Sequence, residues 1–277
     1  MKFRDIETAD FPALATLLSE GFPATTRGFW VTALDLLAGW EPVAGLPRYG
    51  IVVEDGGALC GVLLMLSHKR GEATICNLSS WYVRASHRGA APFMFARALG
   101  VDGVTYLDCS PTPEVVPVIE RFGFRPYTDG ALLLDARQSL RRGARVTRLT
   151  PEALAACGDP ERVRIEANLG YGCRGLLARD ADGAPVPLLY RVARVKRRIP
   201  IARFVYGAPE TIAANAGPIT ATLIARGIPL AQVDWPQGAA PPPVGRVMPR
   251  YGVRYRRGDA SPRVGDLLDT EYAAFGI

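Results

Sequence analysis

Nowhere in this 277-residue chain do eighteen apolar residues follow one another, which argues against a membrane-spanning helix. Met1-Lys2-Phe3-Arg4-Asp5 has no apolar run behind its charges, so the amino end does not read as a secretion signal. Cys60, Cys76, Cys109, Cys157 and Cys173 are odd in number, and no two form a Cys-x-x-Cys pair. Only His68 and His87 could assist them as ligands. These shortages argue against a disulfide framework and a zinc site, and no metal is expected. The expectation is a soluble, cytoplasmic protein without a membrane partner.

Lysine is scarce while arginine is abundant, and the chain carries a net charge of +6 with a pI near 9.2. The arginines cluster at Arg141, Arg142, Arg145 and Arg148, at Lys196-Arg197-Arg198, and at Arg254, Arg256 and Arg257. There is no zinc finger, recognition helix or aromatic ribonucleoprotein motif beside them, so a nucleic-acid partner is not expected. An anionic small molecule suits them better, because a few guanidinium groups suffice to hold a phosphate.

What the chain does have is a repeat. Arg121-Phe122-Gly123-Phe124-Arg125 is followed by Tyr127 and Asp129, and Arg250-Tyr251-Gly252-Val253-Arg254 by Tyr255 and Asp259. Val52-Val53-Glu54-Asp55-Gly56-Gly57-Ala58-Leu59 and Leu177-Ala178-Arg179-Asp180-Ala181-Asp182-Gly183-Ala184 both read as strands around a tight turn. Ala13-Leu14-Ala15-Thr16 and Ala153-Leu154-Ala155-Ala156 each sit on a helix near the start of a half. Three matches in the same order indicate a duplicated module, and the length suits two domains of about 140 residues. The expected unit runs strand, helix, hairpin, strand, helix, strand, helix, strand. The domains are bounded at 1–138 and 144–277, with a joint over 136–145.

In the first half, residues 75–83 read as a strand and 92–100 as a helix with Phe93, Phe95, Ala96 and Leu99 spaced for burial. Between them Arg84-Ala85-Ser86-His87-Arg88-Gly89-Ala90-Ala91 forms a small-residue turn before Pro92. A strand, such a turn and a helix start can aim backbone amides and the helix dipole at a phosphate. The same residues also suit an ordinary loop and cap.

The order of elements adds to this: a strand, the Arg-Gly turn, a helix, a strand ending Tyr106-Leu107-Asp108-Cys109, a short helix through Val118-Ile119-Glu120, and Arg121-Phe122-Gly123-Phe124. That succession resembles the GNAT superfamily of acyl-CoA-dependent N-acyltransferases, over residues 3–135 and, with weaker motifs, 146–257, as in its tandem members. Val83-Arg84-Ala85-Ser86-His87-Arg88-Gly89 resembles the exit of the family's fourth strand. Glu120-Arg121-Phe122-Gly123-Phe124 resembles its Glu-x-x-Gly-Phe sequence. The resemblance implies an α/β (α+β) fold of two tandem modules, each a mixed, mainly antiparallel sheet flanked by helices. It implies acetyl-CoA or another acyl-CoA as co-substrate. The diphosphate would lie on Arg88, Gly89, Ala90, Ala91 and Phe93, and the thioester carbonyl against Tyr82, Val83 and Arg84. The sequence departs from the pattern where Ala91 and Phe93 replace small or glycine positions, where Pro92 lacks an amide hydrogen, where Ile119 stands in place of a tyrosine acid, and where Thr112 aligns with an asparagine.

Acyl transfer to an amine needs a deprotonated amine and a stabilised oxyanion. Asn77, Ser79, Asp108, Cys109 and Ser110 lie near the splayed strands. Asp108 and Ser110 are the candidate catalytic residues, Asp108 as acceptor of the amine proton; an N-cap or loop carboxylate is its simpler reading. Cys109 reads as a structural thiol and His87 as a surface residue. In the second half Glu210 stands where a diphosphate would sit, and 237–243 is a proline-rich linker, so that half reads as a scaffold. Two functions follow: an enzyme passing an acyl group to the amine, or less readily the hydroxyl, of a small-molecule acceptor, or a degenerate tandem protein that binds a ligand or partner without turnover.

Overall fold

The computed structural model describes residues 1–195, 198–249 and 251–277. Lys196 and Arg197 of the basic run and Arg250 of the second Arg-aromatic-Gly motif lie outside the described residues. The chain divides into two compact units, Met1–Arg125 with Arg256–Ala260, and Pro126–Tyr255 with Ser261–Ile277.

The first unit opens on strand β1 (Lys2–Asp5) and helices α1 (Phe11–Gly21) and α2 (Arg27–Ala38). Leu14, Ala15, Leu17 and Leu18 form the buried stripe of α1, and the Thr26 side chain caps α2 by accepting the Phe29 N–H. Strands β2 (Gly50–Asp55), β3 (Ala58–Arg70) and β4 (Ala73–Val83) then run antiparallel. The β2–β3 hairpin turns on Gly56 and Gly57, at φ 55° and 81°. Two successive left-handed residues make the primed turn that matches strand twist, which glycine enters without steric cost. Helix α3 (Ala91–Ala98) leads to β5 (Val104–Asp108), which pairs parallel with β4. Helix α4 (Val116–Arg121) and the short β6 (Arg125–Pro126) follow.

The second unit comprises β7 (Thr128–Leu134), β8 (Thr147–Arg148), α5 (Pro151–Ala155), α6 (Asp159–Gly170), β9 (Arg174–Arg179), β10 (Pro185–Val195), β11 (Ile199–Tyr206), α7 (Pro209–Ala214), α8 (Ala216–Ile224), β12 (Leu230–Pro236) and β13 (Arg246–Met248). Strand β14 (Tyr255–Arg257) and helix α9 (Glu271–Ala274) complete the chain.

The described residues form two seven-stranded mixed sheets flanked by helices, in the orders β1-β2-β3-β4-β5-β14-β6 and β13-β7-β12-β11-β10-β9-β8. The runs β1 to β5 and β8 to β12 match strand for strand, each ending in a parallel pair. This is the expected α+β architecture of two modules. Each has two helices, rather than one, between its first and second strands. The last strands follow a different plan. Strand β7, which sequence order gave to a first module ending at 138, pairs with β12 from Thr128↔Pro236 to Leu134↔Ala231. The reason is apolar: Leu132 and Leu134 are fully buried in the core of the second sheet with Leu188, Phe204 and Ile219. Strand β14 lies between β5 and β6. The expected joint over 136–145 carries a 3-10 turn at Ala136–Leu140 and belongs to the second unit.

In the second unit the parallel pair is short, from Ile201↔Leu230 to Arg203↔Gln232. Beyond it the free edge of β11 is taken by the chain's own carboxy-terminal segment: the Gly207 N–H donates to Gly265 C=O at 2.9 Å, the Leu267 N–H to Val205 C=O at 2.8 Å, and Tyr206 bridges Asp266. Gly265 lies so close that a Cβ on it would fall 2.1 Å from the Gly207 oxygen, at a φ of +82°. Arg164 of α6 fixes the segment through Asp266 (3.1 Å) and Asp269 (2.9 Å), and Asn168 donates to Asp269 at 3.1 Å.

Beside this closure Arg254 and Asp234 form a bidentate pair at 2.9 and 3.0 Å, their side chains only 2% and 5% exposed. Tyr272 lies 4.0 Å from the guanidinium. Removing one member strands a charge that water cannot reach, at a cost of about 3–5 kcal/mol. Arg254→Met should therefore lower the melting temperature sharply. Adding Asp234→Leu should restore much of the loss, because both charges are then gone. Equal melting temperatures for the single variant and the parent would refute the account.

Candidate functional site

The site is set by where β4 and β5 part. Their parallel ladder runs from Thr74↔Val104 to Leu78↔Asp108 and stops there, while β4 continues for five more residues to Val83. On its other side β4 stays paired with β3, but the register slips: Leu64 faces Ser79 and Val62 faces Tyr82. Ser80 and Trp81 thus oppose the single residue Leu63, which is a β-bulge. Ser80 adopts φ 55°, one of two non-glycine residues with positive φ among the described residues. A bulge of this kind bends the strand and re-aims its side chains.

The consequences are visible residue by residue. Trp81 stacks on Phe95 of α3, with ring centroids 4.7 Å apart and planes 20° apart. Tyr82 packs over Gly21, where a Cβ would stand 2.4 Å from the ring, and meets Phe22 at 6.5 Å. Val83 is buried against Gly61. The backbone from Ser79 to Val83 has no strand on the β5 side of the sheet, and no backbone hydrogen bond from outside the β3 ladder reaches it among the described residues. Amides and carbonyls on such an edge are open to a ligand.

The turn after β4 is more tightly wound than an open cradle. Residues Ala85–Ala90 form a 3-10 helix that runs into α3. The His87 N–H donates to Arg84 C=O, and the Ala91 N–H to Arg88 C=O. With Ala91 engaged and Pro92 lacking a hydrogen, the turn offers few amides. Arg84 is occupied as well: its guanidinium grips Glu20 at 3.0 and 2.9 Å, and that pair holds the Arg84 pKa above its usual value. Arg88 and Gly89 are exposed, Ala90 is buried, and the Phe93 ring is 68% exposed. Arg88 makes no ion pair among the described residues. His87 lies at the surface, between Ser86 (2.8 Å) and Asp55 (3.2 Å).

Asp108 occupies the last rung before the strands part and is 9% exposed. One of its oxygens accepts the Ser110 N–H at 3.3 Å, so it also serves the loop turn that its simpler reading supposed. Ser110 itself is exposed. Cys109 is fully buried. Burial pushes the Cys76 thiol of β4 up to about 12, which leaves it protonated and unreactive. Ile119 on α4 is also fully buried and offers neither proton nor hydrogen bond. Among the described residues no group of three or more His, Cys, Asp or Glu is placed to hold a metal ion, and no helix is long and apolar enough to cross a membrane.

The bulge was missed in the sequence, though Ser79-Ser80 interrupting an apolar strand was its trace. The second unit has the equivalent gap at the end of β11, closed by its own residues 265–267, and Glu210 lies in the first turn of α7.

No protein-family model matches the sequence, and no curated protein matches it. Solved structures do. A GCN5-related N-acetyltransferase from Anabaena variabilis is 12% identical with a TM-score of 0.62, over 92% of this chain and 71% of that one. The fold is that of a tandem GCN5-related N-acetyltransferase. A tandem GNAT protein from the clavulanic acid biosynthesis pathway is 14% identical with a TM-score of 0.51, over 94% of this chain and 99% of that one. Eis1 from Mycobacterium abscessus gives 14% and 0.51, over 96% and 74%. At these identities the likeness establishes the fold alone.

If the bulge holds the strand edge in place, its backbone should tolerate glycine and resist branching. Ser80→Gly should leave the melting temperature within a degree or two. Ser80→Val forces a β-branched residue into a left-handed conformation, costing about 1–3 kcal/mol, and should lower it. Equal melting temperatures for the two variants would show that the bulge is not fixed by residue 80.

Proposed function

We propose that the first unit is the centre of a cytoplasmic acyl-CoA-dependent N-acyltransferase, which passes an acetyl or other acyl group to the amine, less readily the hydroxyl, of a small molecule. The observation that carries this reading is the unequal treatment of two equivalent gaps. The gap after Leu78 and Asp108 keeps a bare strand edge, whereas the one beyond Arg203 is filled by the chain's own residues.

The residues fit an acyl-CoA in part. The edge from Tyr82 to Arg84 suits the thioester carbonyl and the extended chain behind it, in the manner of an added strand. At the turn, Arg88 would carry more of the diphosphate than the amides of Gly89, Ala90 and Ala91, because the Ala91 N–H is already bonded. The exposed Phe93 ring would flank it. Acyl-CoA supplies an activated thioester. The acceptor nitrogen bonds to the acyl carbon as the carbon–sulfur bond breaks, and the proton lost by the amine goes to Asp108, directly or through water, with Ser110 beside it. The thiolate departs without a strong acid, since Ile119 offers none, which favours slow turnover.

A second reading, binding without turnover, is favoured by that same apolar Ile119 and by the helical turn. The two separate experimentally. Calorimetry should show acyl-CoA affinity falling more than tenfold in Arg88→Glu, since a charge-assisted phosphate contact is worth on the order of 1.5–3 kcal/mol and reversal adds repulsion. Glu210→Arg should leave the affinity unchanged. Unchanged affinity in Arg88→Glu would move the site elsewhere. Tight acyl-CoA binding with no free thiol released in the presence of a broad panel of amines would give the second reading.

A further inference from the structure

The second unit holds two cavities that have no counterpart in the acyl-transfer reading. One, of about 370 Å³, lies beside Trp235 and the proline-rich loop. A larger one of about 540 Å³ opens where β8, β9 and the chain after α8 meet, lined by Arg148, Arg174, Arg226, Leu149, Leu169 and Cys173. The larger one has the chemistry.

The register explains why three arginines converge there. Arg148 of β8 lies opposite Leu176, Leu176 opposite Leu188, and Arg174 opposite Tyr190. Cross-strand partners share a face of the sheet, so Arg148 and Arg174 stand on the face that carries Tyr190. This is the face covered by α7 and α8, since Leu176, Leu188 and Tyr190 share a core with Ile212, Ile219 and Leu223. Arg226 follows α8 and reaches the same place: its Nη1 donates to the Tyr190 hydroxyl at 3.0 Å. Tyr190 is fully buried, so the hydroxyl is a fixed anchor for one guanidinium.

None of the three arginines forms an ion pair among the described residues, unlike Arg164 and Arg254 of the same unit, which are locked to carboxylates. Three like charges drawn to one hollow without a counter-charge repel one another, and an anion relieves that repulsion. Guanidinium forks match phosphate oxygens two at a time. The hollow is in the range of small-molecule sites, and it extends round the sheet edge to Leu149, which packs over Gly175 on the opposite face.

We propose that this cavity is a binding site for a phosphorylated small molecule, with Arg148, Arg174 and Arg226 on its phosphate. The site is separate from the gap at β4 and β5, so it stands or falls independently of the acyltransferase reading.

The test is calorimetry at fixed ionic strength with inorganic pyrophosphate and with adenosine 5′-monophosphate, on the full chain carrying Arg88→Glu, so that the turn after β4 does not contribute. Saturable binding of either probe is expected, weakened at least tenfold by Arg174→Gln and by Arg226→Gln. The exposed Arg142→Gln, outside the cavity, should change it less than twofold. Tyr190→Phe should weaken it several-fold by releasing Arg226, a readout that a diffuse positive surface would not give. Because Arg174 and Arg226 are exposed, these variants should keep the parent's melting curve. Should one of them not, the other decides. No saturable binding at millimolar concentration, or affinities untouched by Arg174→Gln and Arg226→Gln, would overturn the proposal. So would tight binding of a single-stranded oligonucleotide that neither probe displaces.

Discussion

Two parallel strands that stay paired at one end and part at the other are the constraint from which the site follows. A parallel ladder is evenly spaced, so β4 and β5 can separate only where one of them bends. The bend is the bulge at Ser80 and Trp81, held on the far side by the continuing β3 ladder. Once the strand turns there, Trp81 is delivered to Phe95, Tyr82 to Gly21 and Val83 to Gly61. The packing in turn keeps the bulge from relaxing. Strain at one left-handed serine is thus balanced by three anchored side chains, and what remains unsatisfied is a short length of backbone facing outward from β4.

The second unit shows what happens to the same architecture when that backbone is satisfied internally. Asp234 is the fifth residue of β12 as Asp108 is of β5, yet their surroundings differ. Asp234 is buried against Arg254, whereas Asp108 accepts a loop amide. Around the Asp234 pair the carboxy-terminal segment is tied to β11 by backbone bonds and to α6 by Arg164 and Asn168. Helix α6 buries little apolar surface, Ile165 and Asn168 being its buried residues, so polar ties rather than a hydrophobic stripe fix it to that segment. Asp234 with Arg254, and Arg164 with Asp266 and Asp269, are all paired, as burial requires.

How much of this was legible in the sequence depends on the range of the interaction. The β2–β3 hairpin, the strand before the Arg-Gly turn and a helix after it were readable, because their signals lie within a few residues, but Phe93 and Ala96, spaced for burial, are both exposed. The tight turn expected after Arg179 is a longer connection, in which Asp180 accepts the N–H groups of Asp182 and Ala184. The placement of β7 and β14 was not readable. Nothing local to Leu132 says that it buries against Phe204 rather than in its own module, since both sheets present apolar edges. The gripping of Arg84 by Glu20 joins residues 64 positions apart, and the closure by residues 265–267 joins segments about 60 apart. Pairings at that distance have no periodicity to betray them.

The arginine content shows why composition alone misdirects. Read as a sum, +6 suggests a charged face for an extended polyanion. Read in the structure, many guanidinium groups are structural. Arg4 bridges Asp10 and Glu54 at 2.7 Å each and holds the Asp10 carboxyl below the usual carboxylate range, and Arg162 spans Asp159 and Glu166 along one helix face. Arg254, the first of an apparent basic run, is only 2% exposed and is neutralised by Asp234, so the run is not a solvated face at that point. Arginine suits these places because its fork satisfies a carboxylate bidentately while its weak hydration lowers the cost of burial. A chain that uses arginine for internal ties gains net charge only where the ties are missing. Arg88, Arg148, Arg174 and Arg226 are such places, since none of them forms an ion pair among the described residues.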